Sequence, residues 1–149
     1  MAKLMHWIER ALALAFIFAV CLNFANVIGR YVFGRSISGA DEVQVYIMVW
    51  MAFLGAGVVA WRRNHLRMEV LVGFLPEKIK TILRFSETLL IICLAGFTLV
   101  QSLRYTAQMA TLGRTSDVGG IPMWIPHSAV ALGFGLITVV ACMDFFRKK

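Results

Sequence analysis

Apolar residues dominate four stretches of the chain, at about residues 11–28, 43–61, 85–103 and 124–146. A membrane-spanning helix needs roughly 20 predominantly apolar residues, so each stretch predicts one span. The third is the least clean, because Ser86, Glu87 and Thr88 stand in its first turn and Gln101 and Ser102 near its end. Between the second and third stretches the pattern shortens. Met68, Leu71, Val72 and Leu75 recur at i, i+3, i+4 and i+7, and Pro76 closes the run, which predicts a helix over about residues 66–75. A helix that brief is marginal in water, but lying in the membrane interface it can bury its apolar stripe. The pattern therefore predicts an all-α membrane protein, residues 1–149 as a single domain, with four transmembrane helices and a short interfacial helix in the loop between the second and third.

Composition agrees with the pattern: 60% of residues are hydrophobic, 15% are charged and the mean hydropathy is +0.77. Soluble domains carry charge on about a quarter of their residues. The net charge of +7 would suit a nucleic-acid partner, but the cations lie between the apolar runs and favour topology instead. Lys3 and Arg10 precede the first span, Arg62, Arg63, Arg67, Lys78, Lys80 and Arg84 lie between the second and third, and Arg147, Lys148 and Lys149 end the chain. Only Arg30, Arg35, Arg104 and Arg114 fall on the opposite side, beside Asp41, Glu42 and Asp117. The positive-inside rule then puts both termini and the central loop in the cytoplasm. On this reading Trp61, Arg62, Arg63, His65 and Arg67 anchor the chain at the inner interface, the cations among lipid head groups.

A signal peptide is the alternative reading of the first stretch. No A-x-A-like cleavage site follows, and in "FAVC" bulky Val20 stands where a lipoprotein box wants a small residue, so the stretch is read as an uncleaved span. Cys21, Cys93 and Cys142 fall singly in three spans and read as small packing residues. His65 has no neighbouring ligand: His6 and His127 lie at the amino terminus and at the outer end of the fourth span. It reads as an interfacial polar residue, and no metal or cofactor is expected.

Polar residues inside or beside the spans need partners. Asn23 and Asn26, at i and i+3, share a face that should turn toward another helix. Asp41 and Gln44 have the spacing of a helix N-cap and its N3 partner, and Glu42 falls in the first turn, where the dipole favours an anion. Alternatively, Asp41 or Glu42 pairs with Arg30, Arg35 or a partner subunit. Ala52, Ala56 and Ala60 form a small-residue ladder beside Gly55 and Gly57, and Ala129 with Gly133 repeats the device in the fourth span; close helix packing is the plain reading of both. The spans hold no buried carboxylate and no helix pair broken by glycine and proline; Pro122 and Pro126 lie where proline starts a helix readily. No phosphate loop, nucleophile constellation or zinc motif is present, and an enzymatic role lacks support.

Two long stretches, "NVIGRYVFGRSISGADEVQVYIMVWMAFLGAGVVAWRRNHLRMEVLVGFLP" and "GRTSDVGGIPMWIPHSAVALGFGLITVV", carry a family resemblance. The chain resembles the small membrane subunit, DctQ type, of tripartite ATP-independent periplasmic (TRAP) transporters. The matching positions are Asn26, Arg30, Tyr31 and Phe33, then Glu42, Trp50 and Gly55, then Arg62, Arg63 and His65 with Glu69, and lastly Pro122 and Trp124. Asn64 departs from the glycine or alanine the family often shows between the basic pair and the histidine.

The resemblance implies a bacterial inner-membrane complex in three parts. A periplasmic binding protein delivers an organic anion, a carboxylate or sugar acid, to a large membrane subunit that imports it with sodium by an elevator motion. The small subunit is a non-catalytic scaffold beside the large subunit's static part, in stable contact with it, in transient contact with the binding protein, and held by membrane lipids. Asn23, Asn26, Glu42, Trp50, Ala52, Gly55 and Ala56 are then candidates for packing against helices or the partner. By side alone, Arg35, Asp41 and Arg114 are candidates for contact with the binding protein. Two rivals stay open: a membrane anchor of a respiratory enzyme, which would want facing histidines within the spans, and a small proton-coupled exporter, which would want an acidic residue inside one.

Overall fold

The four apolar runs become four helices in a computed structural model of the chain, which describes residues 2–62 and 76–147. They are α1 (Ala2–Val32), α2 (Ala40–Trp61), α3 (Glu77–Thr111) and α4 (Trp124–Arg147). Each is long and apolar enough to cross a membrane, and in hydrocarbon a helix pairs its backbone groups within itself. Hydroxyls in the spans are satisfied the same way: Thr98 donates to the Leu94 carbonyl and Thr138 to the Phe134 carbonyl, both at 2.8 Å. Among the described residues there is no separate short helix between α2 and α3. The stretch expected to form one, 66–75, lies outside the described residues, as do Arg63, His65 and Arg67.

Two helices outrun the apolar runs that predicted them. α1 has 31 residues, about 46 Å at 1.5 Å per residue, and α3 has 35, about 52 Å, against roughly 30 Å of hydrocarbon. Their polar ends are rich in Lys, Arg, Glu and Gln, good helix formers, so the helices continue past the apolar edge. α1 stops where Gly34 takes φ 63°, a left-handed turn that folds the Arg35 N–H back onto the Gly29 carbonyl at 2.9 Å.

The helices stand in an open row. α1 packs on α2, α2 on α4, and α4 on α3, so α1 and α3 are the edges. Only 6% of the most apolar window of either edge helix is buried within the chain, against 17% for α2 and 28% for α4. In a bilayer that exposure is tolerable, because lipid tails are as apolar as a protein core.

Two contacts fix the row. At the end carrying both termini, Met5 of α1, Val58 and Ala60 of α2 and Val140 of α4 form a buried cluster, flanked by Ile8, Trp61, Leu136 and Ile137. In the middle, α2 and α4 meet at glycine. A Cβ on Gly133 would lie 2.6 Å from the Phe53 carbonyl oxygen, and one on Gly57 would lie 2.9 Å from the Leu136 Cβ. Small residues here let two backbones approach closely, while Phe53 and Phe134 pack their rings beside the seam at 5.9 Å.

Candidate docking face and loop junction

The loops 33–39 and 112–123 meet at the end of the row away from the termini, and a carboxylate of α2, Glu42, holds the second. The second loop closes as a small hairpin: Thr115 and Pro122 bridge, the Ser116 N–H donates to the Ile121 carbonyl at 2.8 Å, and the Met123 N–H to the Arg114 carbonyl at 2.9 Å. Its tip presents the Val118 N–H to Glu42 Oε1 at 3.1 Å and the Gly119 N–H to Oε2 at 2.7 Å, while the Ser116 hydroxyl donates to Oε2 at 2.6 Å. Ser116 is buried and also accepts from the Ile121 N–H at 3.1 Å. A Cβ on Gly119 would stand 2.8 Å from Glu42 Oε2, so glycine is needed for this approach. Irregular backbone at a membrane boundary needs acceptors; a carboxylate supplies them, and the start of α2 favours its charge.

A second polar knot ties α1 to the same place. Asn26, buried, accepts from the Ile37 N–H at 2.9 Å and donates through Nδ2 to Asp41 Oδ1 at 3.1 Å. Asn23 donates to Gln44 Oε1 at 3.0 Å. The expected Asp41 cap is corrected here. Gly39, φ 81°, precedes α2 with no side-chain capping bond, and Asp41 lies inside the first turn, drawn toward Asn26. Its Oδ2 lies 3.9 Å from Arg30 Nη2, with both side chains largely exposed, an arrangement that contributes little. Glu42, for which pairing with Arg30 or Arg35 was an alternative, engages the hairpin instead.

α2 has two unlike sides. Tyr46, whose hydroxyl reaches the Met123 sulfur at 3.8 Å, and Phe53 and Gly57 face α4. Asp41, Val45, Met48, Ala52, Ala56 and Val59 are exposed, and their spacing puts them on one stripe. Ala52 and Ala56, candidates for packing against helices or the partner, thus lie on the exposed stripe, while Ala60 of the same ladder is buried. A Cβ added to Gly55 would meet nothing within 4 Å. The close contact belongs to Gly133 and to Gly57, which stands one residue, and so about 100° of helix, round from Ala56. Trp50 is half-buried.

At the terminal end, Trp61 packs against the buried cluster. Arg62 closes on Glu9 of α1, Nη2 at 2.6 Å and Nε at 2.7 Å from Oε1. That hydrogen bond raises the Arg62 pKa above its ordinary value. Arg35 and Arg114 are exposed at the loop end. Neither Glu9 nor Ser116 and Gly119 stood out in the sequence, although "TSDVGG" carries the Ser, Asp and Gly of a turn. Among the described residues no group of three or more His, Cys, Asp or Glu is placed to hold a metal ion, and the three cysteines are free.

Four spans in an open row, with polar groups spent on joining loops, define a multi-pass membrane protein built for packing. A sequence model of the family described as "Tripartite ATP-independent periplasmic transporters, DctQ component" matches residues 19–148. The chain is 30% identical over 146 residues to a TRAP transporter small permease protein of Haemophilus influenzae, covering 94% of this chain and 88% of that one. It is 31% identical over 127 residues to the ectoine TRAP transporter small permease protein TeaB of Halomonas elongata, covering 85% and 65%. To the C4-dicarboxylate TRAP transporter small permease protein DctQ of Vibrio cholerae it is 26% identical over 139 residues, covering 78% and 60%. The chain thus spans most of the first relative and somewhat under two thirds of the other two. The chain belongs to the DctQ family of TRAP transporter small permease subunits, and is a transport component and not an enzyme.

Proposed function

We propose that this chain is the fixed scaffold of a TRAP transporter, packed beside the static part of a large elevator subunit that imports an organic anion with sodium. The observation that carries the reading is the open stripe of α2. An inner helix of the row shows exposed Ala52 and Ala56 at mid-span, where small side chains admit a second helix closely. Family membership supplies the occupant, the large membrane subunit. Packing against neighbouring helices fixes the tilt of a span, which is what an elevator requires of the domain that stays still.

Sidedness follows from charge. The terminal end carries both termini and adjoins the cation-rich sequence between α2 and α3, so it faces the cytoplasm. The loop end then faces the periplasm, and exposed Arg35, Asp41 and Arg114 are the groups offered to the binding protein. Relatives bear names that refer to ectoine in one case and C4-dicarboxylate in another, which supports solute choice by the other chains of the complex.

The test is an affinity pull-down of this chain from its native membrane in mild detergent, with mass identification of what stays bound. A large polytopic partner in near-equal amount is expected. Recovery of the chain alone or as its own dimer would favour an exporter, and a coloured complex a respiratory anchor.

A further inference from the structure

Lys3, His6, Trp7 and Arg10 follow one another at i, i+3, i+4 and i+7, and so share one face of the first turns of α1. All four are exposed, Trp7 to 70%. Among the described residues, these four line an open surface hollow of about 370 Å³. Two of its cations stand without a carboxylate among the described residues. The Glu9 carboxylate is held by Arg62 at 2.6 Å and has its second oxygen 3.6 Å from His6 Nδ1; among the described residues no carboxylate pairs with Lys3 or Arg10. The hollow also lies at a defined depth, because the uninterrupted apolar run begins at Ala11, directly after Arg10.

We propose that this hollow holds the head-group phosphate of an anionic phospholipid of the inner leaflet. Lys3 and Arg10 bracket the phosphate, His6 hydrogen-bonds it, and Trp7 packs at the boundary where its ring is apolar and its N–H polar, the usual depth of interfacial aromatics. The Glu9–Arg62 pair takes part by neutralising the Glu9 carboxylate, which would otherwise repel the ligand. The leaflet rests on the sidedness proposed above; the site itself rests on the four side chains.

The test uses the full chain purified with whatever partner it retains, relipidated with either phosphatidylglycerol or phosphatidylcholine, and bound lipid counted by native mass spectrometry. Selective retention of phosphatidylglycerol is expected, falling about fivefold for each cation removed in Lys3→Gln and Arg10→Gln, in line with the attraction of a basic residue to an anionic surface. The charge-keeping variants Lys3→Arg and Arg10→Lys should retain it, and all four should unfold at the wild-type temperature. Equal retention of the two lipids, unchanged retention in the double glutamine variant, or displacement of the lipid by millimolar inorganic phosphate would each overturn the proposal. Recovery of the large subunit is read in the same samples, so failure of the lipid site is distinguishable from failure of the scaffold reading.

Discussion

The two sides of α2 use the same small residues for different ends. Toward α4, Gly57 lies against the Leu136 side chain and Gly133 of α4 lies against the Phe53 backbone, and no Cβ fits at either position without movement. On the open side, Ala52 and Ala56 are exposed and a Cβ at Gly55 would meet nothing. Both sides would pass for a packing motif in a hydropathy plot. The difference shows that a small-residue ladder records how closely something approaches, and that only the fold says whether the approaching body is part of the same chain.

Substitutions can separate the two sides. The largest effect is expected of Gly133→Val, because the obstacle is the Phe53 backbone, which cannot rotate away. Overpacking commonly costs 1–3 kcal/mol, so a loss of about 3 kcal/mol is expected, read as a lower thermal midpoint and poor recovery of monodisperse protein in detergent. A normal midpoint would mean the seam does not hold the row. Glu42→Ala comes next: it strands the Val118 and Gly119 N–H groups and the Ser116 hydroxyl, and should lower the midpoint while making residues 112–123 cleavable by protease. Glu42→Gln, which keeps one acceptor, should recover part of the loss.

Smaller effects sharpen the contrast on the open side. Ala56→Leu should leave the stability of the chain within about 0.5 kcal/mol, as surface changes do, yet reduce the large subunit recovered with it. A loss of fold in that variant would place residue 56 inside the chain's own packing. Gly55→Ala is expected to change least, with stability within about 0.5 kcal/mol of wild type in the same unfolding assay.

The sequence shows the number of spans because span length is set by the bilayer, and it shows that Asn23 and Asn26 need partners because an amide facing lipid is costly. Helix ends were harder to read. Lys3 to Arg10 look like a flank, yet they are helical, because polarity does not stop a helix that lacks Pro or Gly. Row order was not legible either, since spans apolar all round carry no signal for which face meets which helix. The Asp41 cap failed because Gly39 could take the left-handed turn and Asn26 competed for the carboxylate. For Glu42 the family pattern marks the position, but its ligands are mostly backbone N–H groups more than seventy residues away, and a backbone donor has no letter in the sequence.

The central claim is that the open stripe of α2 faces the large subunit. The most direct test puts a photo-crosslinking residue at position 56 in the native membrane and identifies the product by mass. The account predicts a covalent product with the large TRAP subunit. Products with lipid alone, or with a second copy of this chain, would contradict it.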